Sequence, residues 1–89
     1  MLRDEAITKR SDLVETAIDE EIIVMRLDNG ELYSLTGTAA AAWRLIDGRR
    51  DRAALVAALT EDYSAPEGRI AADIDDCLRQ WRESGLIGG

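Results

Sequence analysis

The sequence contains no histidine and only one cysteine. Without histidine, the chain lacks the side chain that most often acts as a general base or a metal ligand. Hydroxyl groups such as those of Ser34 and Thr36 therefore have no imidazole to activate them. Cys77 alone allows neither an intramolecular disulfide nor a zinc site built from several thiolates. These absences predict a protein that is not an enzyme, with no metal and no cofactor.

The sequence also has no long apolar run. The longest uncharged run, Leu32 to Trp43, contains serine, threonine and glycine and is too short to cross a bilayer. Met1 to Glu5 are not followed by the apolar stretch of a secretory signal peptide. We therefore expect a cytoplasmic protein with no membrane partner. At 89 residues, we expect a single domain over 1–89, whose first ten or so residues are flexible.

Basic residues are outnumbered by acidic ones. Eleven Lys and Arg stand against eighteen Asp and Glu, which gives a net charge of −7. A protein that binds duplex DNA needs a basic surface that displaces condensed counterions, so we expect no nucleic-acid partner. The exception is a cluster of Arg44, Arg49, Arg50 and Arg52. This cluster supports an alternative function, a DNA-binding regulator, although cations near a helix C-terminus are stabilising without any ligand.

Three segments in the first half have the composition of β-strands. Leu13–Ile18 and Glu21–Leu27 contain β-branched residues, and Glu31–Leu35 follows the dipeptide Asn29-Gly30. Asn-Gly is the strongest short signal for a tight hairpin turn, because both residues tolerate a positive φ. The pattern predicts a three-stranded antiparallel meander.

The second half has the periodicity of three helices. Thr36 and Asp51 are predicted to cap the first two, Pro66 to lie in the first turn of the third, and Gly85 to end it. The predicted buried faces are Ala39, Ala42, Trp43 and Ile46; Leu55, Val56, Leu59 and Tyr63; and Ile70, Ile74, Cys77, Leu78 and Trp81. After Gly85, the apolar residues Leu86 and Ile87 predict a return to the core. Three strands followed by three helices predict an α+β domain of winged-helix type, a fold that also suits the DNA-binding alternative.

The acidic cluster and the cysteine of the third helix both have structural explanations. Asp73, Asp75 and Asp76 do not converge on one point of a helix, so we expect a solvated acidic face and no metal site. Cys77 lies on the apolar stripe, where a thiol acts as a small hydrophobic group.

The third strand would be an edge of the predicted sheet. Leu32 and Ser34 share one of its faces, and Tyr33 and Leu35 share the other. Edge strands are normally protected by lysine, proline or bulges, and Glu31–Leu35 has none of these. An unprotected edge beside an amphipathic helix suits a peptide that adds as a further strand. The alternative is that the N-terminal segment or a helix covers this edge.

Several short segments follow one another in a characteristic order: Asp28 to Leu35, Thr38, Ala42 to Gly48, Leu55 to Leu59, Tyr63, Asp73-Ile74, Cys77-Leu78 and Gly85 to Ile87. Between about Ser11 and Ile87 the chain resembles the PqqD-like family. Members of that family recognise the leader peptides of ribosomally made, post-translationally modified peptides. The chain departs from the family pattern at Thr36, where asparagine is frequent, and at Cys77, where a larger apolar residue is common.

The resemblance implies that a precursor's leader pairs with the third strand and lies in the groove between that strand and the third helix. It assigns the peptide-binding site to Glu31, Leu32, Tyr33, Ser34, Leu35, Asp73, Ile74, Cys77, Leu78 and Trp81. It also implies a partner maturation enzyme, which is a leader peptidase, a cyclase or a radical-SAM enzyme. A short chain of this kind resembles the leader-binding component of lasso-peptide systems and also PqqD itself; we favour the lasso type.

Overall fold

The computed structural model describes residues 6–63 and 66–88. The elements follow one another as β1 (Thr8–Lys9), β2 (Leu13–Ile18), β3 (Glu21–Arg26), β4 (Leu32–Leu35), α1 (Gly37–Leu45), α2 (Arg52–Asp62), α3 (Glu67–Glu83) and β5 (Ile87–Gly88). The predicted α+β fold, a three-stranded antiparallel sheet followed by three helices, is confirmed.

The main sheet has the strand order β2-β3-β4, and both pairings are antiparallel. Gly30 has a φ of +71°, and the Asn29 side chain accepts a hydrogen bond from the backbone N–H of Glu31 at 2.9 Å. The predicted Asn-Gly turn between β3 and β4 is therefore confirmed. Ile22 and Val24 of β3 are buried, and their register partners are Leu35 and Tyr33. One face of the sheet therefore lies on the core.

A second, very small sheet pairs β1 with β5, so both ends of the described chain meet. Ile7 is buried, and its backbone N–H donates to the carbonyl of Arg50 at 2.9 Å. The N–H of Arg10 donates to the carbonyl of Leu86, also at 2.9 Å. Residues 7–10 are therefore hydrogen-bonded to the rest of the fold, and residues 1–5 lie outside the described part. The flexibility of the first ten or so residues stays a prediction.

The helix ends agree with the sequence in part. Asp51 caps α2 as predicted, since its side chain accepts the Ala54 N–H at 2.9 Å. Thr36 occupies the N-cap of α1, but its side chain makes no capping hydrogen bond. Pro66 is the N-cap of α3 rather than a residue of its first turn. Across the described ranges, no helix is both long and apolar enough to cross a membrane.

The core lies between the helices and the inner face of the sheet. Trp43 of α1 and Trp81 of α3 are both buried and meet edge to face, with ring centroids 5.1 Å apart. Leu86 and Ile87 are buried too, so the predicted return of the chain to the core is confirmed. Tyr63 corrects the prediction for α2, because it stands at the C-cap and is 38% exposed.

Candidate functional site

The outer edge of β4 carries backbone groups that pair with no other strand in the described chain. The Arg26 N–H donates to the Glu31 carbonyl at 3.0 Å, so this pair faces inward across the hairpin. Hydrogen-bonded and non-hydrogen-bonded pairs alternate in antiparallel sheets. Leu32 and Ser34 therefore direct their N–H and C=O groups away from β3. Their side chains are exposed on the outer face, while Leu35 is buried on the inner face.

The helix α3 has two different flanks. Asp75 lies on the flank toward α2, where its carboxylate accepts a hydrogen bond from Arg52 at 3.0 Å. Helical spacing places Asp73, Cys77 and Ser84 on the opposite flank, and all three are half-buried. We call the open edge of β4 together with this flank the β4–α3 site.

The two halves of the β4–α3 site meet at the end of α3. Arg26, the last residue of β3, donates from Nη1 to the carbonyl oxygen of Ser84 at 2.7 Å. Tyr33 of β4 lies at the same end, and its hydroxyl donates to the carboxylate of Glu31. That hydrogen bond, followed by burial, raises the pKa of Tyr33, while Ser84 and Arg26 act in the opposite direction. The Tyr33 phenol therefore stays protonated and serves as a hydrogen-bond donor.

Cys77 gives the flank of α3 its apolar character. Partial burial raises the pKa of the Cys77 thiol, and the nearby carboxylates of Asp73 and Asp76 raise it further. A neutral thiol is a small hydrophobic group and a poor nucleophile. The flank therefore combines an apolar centre with an acidic rim, a surface suited to an apolar side chain that lies next to a basic one.

The structure divides the sequence-predicted site residues into two groups. Glu31, Leu32 and Ser34 are exposed, and Tyr33, Asp73 and Cys77 are half-buried. The side chains of Leu35, Ile74, Leu78 and Trp81 are buried, at 7%, 0%, 2% and 4% exposure. Buried side chains support a surface from beneath and offer a ligand little area. Whether any of these residues contacts a peptide stays a prediction.

Sequence reasoning missed Arg26 and Ser84. An arginine at the end of an apolar strand, directly before a tight turn, was a signal that one guanidinium ends near the core. Its partner could not be found from the sequence, because the partner is a backbone carbonyl far along the chain.

Several members of the acidic and basic clusters form ion pairs within the chain. Asp75 pairs with Arg52 and Asp76 with Arg79, so the carboxylates of α3 diverge as predicted. Arg50 donates to the carbonyl of Leu45 and to Asp47, each at 3.0 Å, at the end of α1. Within the described residues, no group of three or more acidic or cysteine side chains is arranged to hold a metal ion.

Two solved structures are similar in fold to this chain. A structure of TbiB1 in complex with the TbiA(beta) leader peptide matches with a TM-score of 0.84 and 23% identity, covering 92% of this chain and 95% of that one. A structure of lasso peptide synthetase B1 complexed with the leader peptide matches with a TM-score of 0.80 and 24% identity, covering 94% and 99%. At this identity, the likeness establishes a common fold.

No curated protein matches the chain. A family model described as coenzyme PQQ synthesis protein D (PqqD) matches residues 21–87, which is more than half of the sequence. This match confirms the resemblance seen in the sequence. The chain belongs to the PqqD family.

Proposed function

We propose that this protein binds the leader region of a ribosomally synthesised precursor peptide and performs no chemistry itself. The observation that carries the proposal is the edge of β4, which no strand of the described chain covers and which meets the end of α3 through Arg26, Tyr33 and Ser84. Membership of the PqqD family supports it. The two similar folds, each in complex with a leader peptide, support it as well.

The leader adds to β4 as a further strand and lies in the groove between β4 and α3. The outward N–H and C=O groups of Leu32 and Ser34 supply the backbone hydrogen bonds, which give affinity independent of leader sequence. Alternate leader side chains then point toward α3, because side chains alternate along a strand. The neutral thiol of Cys77 and the carboxylate of Asp73 favour a leader with an apolar anchor and a neighbouring basic residue.

Binding serves delivery of the precursor to a separate enzyme. Holding the leader near that enzyme raises the effective concentration of the segment to be modified or cleaved. The enzyme is a leader peptidase or a cyclase in a lasso-type pathway, or a radical-SAM enzyme in a PQQ-type pathway. The chain itself has no histidine, and its one thiol has a raised pKa, so it offers no activated nucleophile.

The test is a fluorescence-polarisation titration of the protein into a labelled leader peptide from the precursor encoded beside it. We expect a Kd between roughly nanomolar and low micromolar. That Kd should change little between low and high salt, because strand addition releases few counterions. A labelled DNA duplex, titrated in the same buffers, is the control.

Two outcomes contradict the proposal. One is no leader binding at any salt concentration. The other is duplex binding that weakens steeply as salt rises, the behaviour of a DNA-binding protein. The second outcome would support the alternative function, a DNA-binding regulator, to which the arginine cluster of the sequence points.

A further inference from the structure

The Arg26 side chain joins three parts of the fold. Its Nη1 donates to the Ser84 carbonyl at 2.7 Å, and its Nε and Nη2 donate to the two Asp28 carboxylate oxygens at 2.9 and 2.6 Å. Only 16% of the side chain is exposed. One guanidinium therefore ties the end of α3 to the hairpin between β3 and β4.

Further ion pairs hold the Arg26 guanidinium in place. Asp28 also accepts a hydrogen bond from Arg10 at 3.0 Å, and Arg10 is paired with Asp12. The hydrogen bond from Arg26 is the main cause of the lowered pKa of Asp28, so this carboxylate is charged at neutral pH. Two charge-assisted bonds to Asp28 orient the fork of Arg26 so that Nη1 points at α3.

Gly85 makes room for this contact. It has a φ of +74°, and a Cβ built on it would lie 2.7 Å from Nη1 of Arg26. A side chain at this position would therefore both strain the backbone and displace the guanidinium. The contact also places a positive charge at the C-terminus of α3, where the helix dipole favours it.

We infer that Arg26 is a positioning residue for the peptide-binding groove, an inference that rests on the proposed function. Its backbone N–H donates to the carbonyl of Glu31, directly before β4, and its side chain donates to the carbonyl of Ser84, the C-cap of α3. Arg26 therefore sets the spacing between β4 and α3 at the Tyr33 end of the groove. At the Leu35 end the chain runs directly into α1, and α1 contacts α3 through Trp43 and Trp81.

The first test compares Arg26→Gln, Gly85→Ala and the double variant in the leader titration. Arg26→Gln should weaken leader binding about tenfold, the loss expected when a charge-assisted hydrogen bond no longer holds the groove. Gly85→Ala should weaken binding to a similar extent, because it displaces the same guanidinium. The double variant should be no weaker than the weaker single variant, since both act through one contact.

Two further variants separate positioning from general stability. Arg10→Gln removes an outer support but keeps the bond to Ser84, so it should change affinity less than threefold. Arg26→Lys keeps the charge but not the fork, and it should restore only part of the affinity. Urea unfolding of every variant shows which are folded at the titration temperature. If Arg26→Gln is not folded, Arg26→Lys takes its place in the comparison.

An alanine scan of the leader separates positioning from a general structural role. The measured quantity is the loss of affinity that each alanine substitution in the leader causes. In Arg26→Gln, alanine substitutions in leader residues at the Tyr33 end should lose most of their effect on affinity, while those at the Leu35 end keep theirs. Leader binding by Arg26→Gln within twofold of the unchanged protein, or additive losses in the double variant, would overturn the inference alone. A lack of binding by the unchanged protein would instead overturn the proposed function, and the inference with it.

Discussion

Among the residues that the structure describes, neither edge of the main sheet pairs with a further strand, and the two edges differ in what lies beside them. On β2, the N–H of Leu27 donates to the Asp12 carbonyl at 3.0 Å, so alternation turns the backbone groups of Leu13, Glu15 and Ala17 outward. On β4, the same alternation directs the backbone groups of Leu32 and Ser34 outward. Both edges therefore offer unpaired donors and acceptors, and neither carries a proline or a lysine.

The side chains around β2 are already engaged with one another. Glu15 accepts the indole N–H of Trp43 at 2.9 Å, and Lys9 lies over the same indole, 4.6 Å from the ring centroid. Lys9 also pairs with Glu15 at 3.3 Å. These contacts cover the inner side of β2, whereas β4 meets the end of α3 through Arg26, Tyr33 and Ser84. An open edge gives affinity for any strand, and only an adjoining side-chain surface gives selectivity.

The largest expected effect comes from a bulky side chain on the flank of α3 that is proposed to line the groove. Cys77→Arg places a long, charged side chain in the proposed groove and offsets the charge of the acidic rim, so leader affinity should fall at least about a hundredfold. The matched control is Ala72→Arg, which adds the same charge at an exposed position of α3. Leader titrations of both variants check this. Unchanged affinity in a folded Cys77→Arg protein would show that the leader does not lie along α3.

The two edges can be compared directly by removing one outward N–H from each. Ser34→Pro on β4 should weaken leader binding about tenfold through loss of a backbone hydrogen bond, while Ala17→Pro on β2 should leave affinity unchanged. Ser34→Ala controls for the hydrogen bond from the Ser34 hydroxyl to Glu21. The same titration serves for all three variants. An equal loss from Ser34→Pro and Ala17→Pro would remove the distinction between the edges.

The smallest expected effect concerns the flank of α3 that faces α2. The hydrogen bond from Arg52 is the main cause of the lowered pKa of Asp75, so the charged form stabilises the fold above the unfolded pKa of about 3.9. That contribution is lost as pH falls through the lower, folded pKa. Asp75→Asn should therefore cost a little stability at pH 7, in the range of exposed ion pairs, and less and less as pH falls through the folded pKa of Asp75.

Urea unfolding of the Asp75→Asn and unchanged proteins over this pH range measures the difference. Leader affinity at pH 7 should be the same for both, because Asp75 lies on the far flank from β4. A clear loss of affinity in Asp75→Asn would place part of the binding surface on the flank of α3 that faces α2, in contradiction to the proposed site.

The sequence predicted those features that have local patterns. Asn29-Gly30 predicted the hairpin, and helical spacing predicted the burial of Trp43 and Trp81. The pairing of β1 with β5 was missed because two short segments at opposite ends of the chain carry no periodicity. Tyr63 was assigned to the buried face of α2 by spacing alone, yet it stands where the helix has already ended.

The candidate site was predictable to a similar extent. Alternation along Glu31–Leu35 separated the exposed Leu32 and Ser34 from the buried Leu35. The spacing of α3 identified its apolar stripe, but it did not separate the buried Ile74 from the half-buried Cys77 at the stripe's margin. That distinction depends on which neighbour each side of the helix meets, and this is decided by the packing of α3 against α1 and α2.

Amide hydrogen exchange, measured by NMR on the labelled protein with and without saturating leader peptide, tests the central claim most directly. Strand addition at β4 predicts that the amides of Leu32 and Ser34 exchange at least about tenfold more slowly when the leader is bound. The outward amides of Leu13, Glu15 and Ala17 on β2 should exchange at unchanged rates. Protection of the β2 amides, or no new protection on β4 at saturation, would contradict the account.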